Sequence, residues 1–478
     1  MRFRFLGMFS LALTSLSLTP LLNAAQPPDV VASDSVGNTA MGTAALAGIT
    51  SGKSNTGAGY GALSAAGTAH YDTALGAGAL HSMVNGEFNT AVGFDALLHS
   101  VSGNCNTAIG AETLAQNGNA GCNTALGYTA LQFNTSGSGN VGLGAVALNA
   151  NTTGSSNTAV GASAMKANTT GSENTAVGNT SLMNNTTGGQ NAVFGMGAMN
   201  SNIGGSDNTA AGYNALFKNT TGNQNQAVGS NALYANDSGS DNVAIGAQAL
   251  VANTTGNNNT AIGVGSMQSN TIGTNNTAMG SNSLQHNATG SNNIAIGALA
   301  GLAITGSNNI DIGSQGVAGE SGVIRIGDQF RTTTYVAAVY GTPVSGAAVF
   351  VSSTGQLGVV PSSERFKTAI TPMGSASEGL TQLRPVMFQF KNDPAHTKQF
   401  GLIAEEVAKV YPDLVIRNEH GRIDGVRYDE LAPLLINEIQ KDRERLSGQA
   451  SAIELQKAQI ASLRQQLATL SAAVAAQR

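Results

Sequence analysis

The chain has 478 residues, including 61 Gly and 10 Pro, no Trp and only 5% aromatic side chains, yet 41% of it is apolar. That balance excludes a charge-rich disordered chain. Its 22 basic and 27 acidic residues give a net charge of -5, which excludes capture of nucleic acid or of an anionic membrane by bulk positive charge. The charges are unevenly spread: residues 362–478 hold 29 of the 49 and residues 38–313 only 12. Two unlike materials are joined in one chain.

In chain order, Arg2 and Arg4 precede an apolar run from Phe5 to Leu22, and Ala24 and Ala25 follow. This is the order of a secretory signal, expected over residues 1–25 with removal after Ala24 or Ala25, followed by a linker over 26–37. No later stretch approaches the roughly 18 uninterrupted apolar residues of a spanning helix. The expectation is an exported chain, secreted or on the cell surface of a bacterial-type cell, with no membrane span after signal removal.

A repeat fills residues 38–313. Asn stands at 38, 55, 89, 106, 123, 140, 157, 174, 191, 208, 225, 242, 259, 276 and 293, with Asp72 in the one gap, so sixteen marks fall 17 apart. With the mark as position 0, position 4 is Gly in every unit, from Gly42 to Gly297. Position 3 is always apolar, as in Val92, Ile109 and Ile245, and position 8 is Leu or Met in the first fifteen units. Position 14 is mostly Gly, within an Asn-Thr-Thr-Gly turn such as Asn151 to Gly154. Two short extended segments and a turn fit one coil of a parallel β-solenoid, which buries its apolar side chains on the next coil. Sixteen rungs at about 4.8 Å predict a rod on the order of 75 Å long.

Asn side chains stacked at one rung position can bond amide to amide along such a rod. The Asn-x-Ser/Thr triplets at Asn151 and Asn253 read as a by-product of the turn rather than as glycan acceptors. Side chains alternate on a strand, so positions 0, 2 and 4 suit a thin interior and position 3 forms an outward apolar row that requires a partner. The other reading turns position 3 inward, with Leu of position 8, into a wider single-chain core. Asn-Thr-Ala-Val-Gly and Asn242 to Gly246 resemble the head repeats of trimeric autotransporter adhesins. The resemblance implies three β-roll chains around one axis. The unit here is longer than that family's, and the family's terminal membrane barrel is missing.

Cys105 and Cys122 both occupy position 16, in consecutive units. Stacked in register, their Cα atoms would lie about one rung apart, within disulfide reach, and an exported chain meets an oxidant. A bridge between them is expected. Two Cys without a matching His do not complete a metal site, and no metal or cofactor is called for.

Beyond Ser314 the period breaks. Val323 to Ile326, Thr333 to Tyr340 and Ala347 to Ser352 read as β segments of a connector over 314–360. Ser362-Ser363-Glu364-Arg365-Phe366-Lys367 then sets a Ser five residues before a Lys, and a Lys held beside a Ser can serve as its general base. Leu383 to Val386, Phe388 to Lys391, Gly401 to Val407, Tyr411 to Val415 and Asp424 to Leu431, together with this hexapeptide, resemble the endosialidase-type intramolecular chaperone of phage tail spikes and fibres, over roughly 361–445. The resemblance implies a trimeric chaperone that templates the preceding fibre and severs itself in a single turnover, with Ser362 as nucleophile, Lys367 as base and the cut at or beside Ser362. Ser363 stands where that family often has Asp. Arg365 is expected to pair with an acidic group and has no catalytic part.

Ala404 to Val410, Tyr428 to Lys441 and the tail read as helices. In the tail, over 446–478, Leu446, Ile453, Ile460, Leu467 and Val474 continue a spacing of seven from Ile439, with Leu463 and Leu470 three positions on. This is a coiled-coil seam in which Gln449, Gln456 and Gln477 fill other core slots. A rod and its coil must share one symmetry axis, and three chains suit both. The fold class expected is thus mostly β: a parallel β-solenoid or β-roll head of 17-residue coils, trimeric, with a C-terminal α+β chaperone module and a trimeric coiled coil. The function expected is an exported trimeric fibre or adhesin-like protein, with a cell-surface or glycan receptor as its partner. The alternatives are a chaperone that never cleaves, on a rod that binds carbohydrate or, through the Thr of position 1, ice. No His-Asp-Ser set or carboxylate pair suggests a hydrolase for an external substrate.

Overall fold

A computed structural model describes residues 31–328, 336, 348–352, 355–418 and 420–476. The expected signal segment over 1–25, most of the β segment Thr333 to Tyr340, and Gln477 lie outside the described residues. The chain divides into two compact units, Met1–Val336 and Ala337–Arg478.

The first unit is a parallel β-solenoid. Three-residue strands recur once per coil, from Thr39–Met41 through Thr90–Val92 and Thr260–Ile262, and join one 19-stranded sheet. Register is strict, Thr90 facing Thr107 and Ala91 facing Ala108. The ladder continues past the last step of seventeen: Ile294–Ile296 pairs with Ile310–Ile312 after sixteen residues, and that strand pairs with Ile324–Ile326 after fourteen. The β segment expected at Val323 to Ile326 is therefore the last rung of the solenoid. Ala32–Ser33 folds back antiparallel on Thr39–Met41.

The interior is narrow. Ala of position 2 and Leu or Met of position 8 meet across it, both fully buried from Ala74 and Leu80 through Ala261 and Met267. Position 3 faces outward, with Leu126 49%, Phe194 47% and Ile245 40% exposed. Of the two orientations open from spacing alone, the outward row is the one found, and it leaves a line of aliphatic side chains along the rod.

Position 4 is not an interior position. It is a corner: Gly161 has φ +132°, and a Cβ there would lie 2.6 Å from the carbonyl oxygen of Gly178 in the next coil. Both the left-handed backbone and the coil stacking demand glycine. A second corner brings position 8 into the same region, with Leu97 at φ 54° and Leu148 at φ 50°. A left-handed leucine costs roughly 1–2 kcal/mol, which its full burial, at about 1.5–3 kcal/mol, offsets.

Polar groups inside the coil are satisfied by ladders. At position 0, the amide and Nδ2 of Asn106 both donate to Oδ1 of Asn89, at 3.0 and 3.1 Å, and Nδ2 also donates to the Ala120 carbonyl at 3.0 Å. The expected Asn stack is present. Asp34 starts it, accepting from Nδ2 of Asn38 at 2.7 Å. A second buried ladder runs along position 11: Asn134 Nδ2 donates to Asn117 Oδ1 at 2.8 Å and to the Gly137 carbonyl at 2.8 Å, and the pattern repeats to Asn270. Asn151 and Asn253 belong to this ladder and are fully buried, which leaves no amide free to carry a glycan. In the last coils charge replaces the apolar interior. Asp311 occupies the place of the usual Ala and faces Arg325 of the final strand, which grips Glu320 at 2.8 Å. A polar end of this kind closes a solenoid core.

The second unit is α+β. A hairpin of Phe350–Val351 with Leu357–Gly358 comes first. A 3-10 turn over Glu364–Phe366 and a 3-10 segment over Gly374–Gln382 follow. Next come a hairpin of Val386–Phe388 with Gln399–Gly401, helix α1 over Ala404–Val410, and a hairpin of Val415–Arg417 with Ile423–Val426. Helix α2 then runs unbroken over Leu431–Ala476. The α1 helix is where the sequence places it. The two C-terminal helices expected from sequence are one helix that crosses residue 445 without interruption. Its Pro433 falls in the first turn, where a missing amide does no harm.

The core of this unit is small: Val407, Leu414, Val415 and Leu434 are buried, with Leu380, Leu402, Tyr411 and Ile423 packed around them. Ser377, also buried, fastens the 3-10 segment to α2, donating to Glu438 Oε2 at 2.7 Å and accepting from Asn437 Nδ2 at 2.6 Å. Beyond this contact α2 is bare, and Leu446, Ile460 and Leu467 are 61%, 51% and 70% exposed. Among the described residues, no helix is long and apolar enough to cross a membrane.

Candidate functional site

Ser362 and Lys367 come together because the chain between them makes a single tight turn. Pro361 leads into the turn with fixed φ, Ser363 is extended at φ -66° and ψ 142°, and Glu364–Phe366 form one 3-10 turn. The amides of Phe366 and Lys367 donate to the carbonyls of Ser363 and Glu364, at 3.0 and 2.9 Å. The turn brings the two ends of the hexapeptide to one side, and Lys367 Nζ donates to Ser362 Oγ at 3.3 Å. Spacing alone could not establish that contact, since five residues in a strand would hold the two side chains far apart.

The pair lies on an open surface. Ser362, Lys367 and their neighbours Phe366 and Ile370 are exposed. A lysine acts as a base only in its neutral form, which exclusion from water promotes. Chemically, the arrangement supplies a hydroxyl nucleophile, an amine in reach of its proton, and an apolar rim that a covering surface would desolvate. Ser363 makes no side-chain capping bond to the turn. Among the described residues Arg365 has no ion-pair partner; its guanidinium lies over the Phe366 ring, 4.7 Å from the centroid. The cation binds the ring face, so no acidic partner is needed.

Beyond the pair, the second unit is braced by polar contacts that sequence reasoning missed. Arg384 donates to both carboxylate oxygens of Glu406, at 2.6 and 3.1 Å, and hydrogen bonding to Arg384 holds Glu406 below the ordinary carboxylate value. The Leu402 amide donates to the Tyr428 hydroxyl at 2.8 Å. These tie the two ends of the 386–401 hairpin to α1 and to the turn that leads into α2. The only sequence signal for them was the density of charge beyond residue 362.

In the solenoid, Cys105 and Cys122 are exposed free thiols in consecutive coils. Two carboxylates sit at interior ladder positions. Asp72 accepts from the Asn89 amide and Nδ2 through Oδ1, at 2.7 and 3.0 Å, while its Oδ2 is buried without a partner. Burial pushes its pKa up to about 7. Burial, with the Glu320 charge, likewise pushes Asp311 up to about 6. Among the described residues no group of three His, Cys, Asp or Glu side chains could hold a metal ion.

Residues 362–416 match the model of the family described as chaperone of endosialidase, which is also named as a peptidase family. The match begins at Ser362 and ends inside the strand Val415–Arg417, so it covers the Ser362–Lys367 contact, the Arg384–Glu406 brace, the 386–401 hairpin and α1. No curated protein and no solved structure matches the chain.

Proposed function

We propose that this is an exported, fibre-like protein whose C-terminal unit assembles three copies and then severs itself from the solenoid, consistent with a phage-tail or surface-fibre origin. The observation that carries the reading is the 3.3 Å contact between Lys367 Nζ and Ser362 Oγ, at the first residue of the chaperone match. Assembly as a trimer is supported by two unpartnered apolar surfaces, the position-3 row of the solenoid and the seam of α2. Neither is a surface that a lone soluble chain normally presents.

In the proposed reaction the neutral Lys367 amine takes the Ser362 Oγ proton as Oγ adds to the adjacent peptide carbonyl. The tetrahedral centre collapses, the C–N bond breaks, and the protonated lysine gives its proton to the leaving nitrogen. Water then hydrolyses the resulting ester. The whole is one acyl transfer in cis. Because the pair is exposed in one chain, association that covers Phe366 and Ile370 would exclude water from it, and we propose that cleavage follows assembly.

Mass spectrometry of the expressed chain beside Ser362→Ala and Lys367→Ala tests this. The parent is expected to shed residues 362–478 and both variants to remain whole. If all three remain whole yet trimeric, the unit is a chaperone without peptidase activity. That second reading is favoured by one feature, Ser363 in place of Asp.

A further inference from the structure

Cys105 and Cys122 each directly precede a ladder asparagine, Asn106 and Asn123, and each is left-handed at φ 58°. The Cys122 amide donates to the Asn104 carbonyl at 2.8 Å, which fixes the two backbones one rung apart. A rung is about 4.8 Å, inside the roughly 4.4–6.8 Å range of Cα separations in disulfides. Both thiols are exposed.

The pair also sits at a particular place in the rod. Position 11 is occupied by Ile49, Ala66, Met83 and Ser100 in the early coils and by Asn from Asn117 through Asn287. The interior changes character between Ser100 and Asn117, and Ser100 Oγ is buried there without a partner. Backbone bonding is thin at the same level. In a regular coil, the amides of Thr152, Thr153 and Gly154 all donate to the Thr169 carbonyl, at 3.0, 3.1 and 3.3 Å, whereas those of Gly118, Asn119 and Ala120 make no such bonds.

We propose that Cys105 and Cys122 form an intrachain, rung-to-rung disulfide, made by exchange with a small-molecule disulfide, and that it staples the two coils where the apolar interior gives way to the asparagine-lined one. One cysteine, as thiolate, attacks the oxidant's S–S bond and releases one carrier thiol. The other then attacks the mixed disulfide and releases the second. Two thiol protons are lost, and two electrons reduce the oxidant's S–S bond. The thiolate is the attacking form, so closure quickens as the pH rises.

The test uses the full chain, equilibrated with oxidised glutathione, then peptide mapping without reductant and hydrogen exchange. The parent is expected to yield a peptide pair joined through Cys105 and Cys122, with exchange over residues 117–122 slowed about tenfold relative to the reduced chain. Cys105→Ser should show neither. Moving the pair checks the register: Cys105→Ser with Gly139→Cys leaves cysteines one rung apart and should bridge, while Cys122→Ser with Gly139→Cys leaves them about 9.6 Å apart and should not. Two freely alkylated thiols in the oxidised parent, or a bridge between different chains, would overturn the proposal. A bridge that leaves exchange unchanged would overturn its role as a staple.

Discussion

The two units solve the problem of a core in opposite ways. In the solenoid each coil is too thin to hold a core alone, but identical neighbours above and below supply one, and interior Ala, Leu and Asn are fully buried within a single chain. The second unit has unique local contacts and, among the described residues, only four buried side chains in its core. It extends a 46-residue helix whose apolar seam is left in water. Repetition lets short segments bury themselves. A unit without repetition, and with so little interior, leaves much of its apolar surface in water.

The contrast can be broken most severely at the α2 seam. Leu446→Asp with Ile453→Asp is expected to abolish association outright, seen as a monomer by sedimentation, while the circular dichroism of the solenoid persists. Trimers that survive both changes would refute the assignment of the seam. Inside the solenoid effects should be large but local: Leu148→Ala should cost about 2–5 kcal/mol, read as faster hydrogen exchange in the coils on either side and unaltered exchange in the second unit. A smaller loss, about 1–3 kcal/mol, is expected for Asn168→Ala, which strips a buried partner from Asn151 and Asn185; unchanged exchange there would mean the position-11 ladder contributes nothing.

One further effect is conditional on pH. Asp72 has a pKa of about 7 in the fold against 3.8 as its ordinary value, raised by burial. Its folded form holds a proton that the unfolded chain gives up. Stability is therefore fully present below about pH 4 and is lost as the pH rises through about 7. Asp72→Asn should flatten that decline and raise the melting temperature at pH 8, with little change at pH 4. Equal melting curves for parent and variant at pH 8 would show that Asp72 carries no such penalty.

Much of the solenoid was legible because its chemistry repeats. The mark at position 0, the small Ala at position 2 and the Leu at position 8 each recur often enough for period to reveal role. The glycine at position 4 was legible as a requirement but not for its reason, since a corner and a thin interior leave the same residue behind. The asparagines of position 11 were hidden in a turn signature, because the sequence does not show that the turn folds inward. The last two coils, of sixteen and fourteen residues, lost the period while keeping the strand. In the second unit the Ser377 contacts join residues about sixty apart in sequence, and no local pattern announces such a pairing. The dyad stood between these cases: its residues could be named in advance, but only the 3-10 turn brings them within reach.

Uniform steps have one further consequence. Copies lying side by side along the position-3 row would meet almost the same surface if one slid by a whole coil, so the row offers no origin from which to align them. A stagger of this kind is a trap that only an aperiodic landmark can prevent. The irregular C-terminal unit has the features of such a landmark, and once the strands are matched the landmark is no longer required.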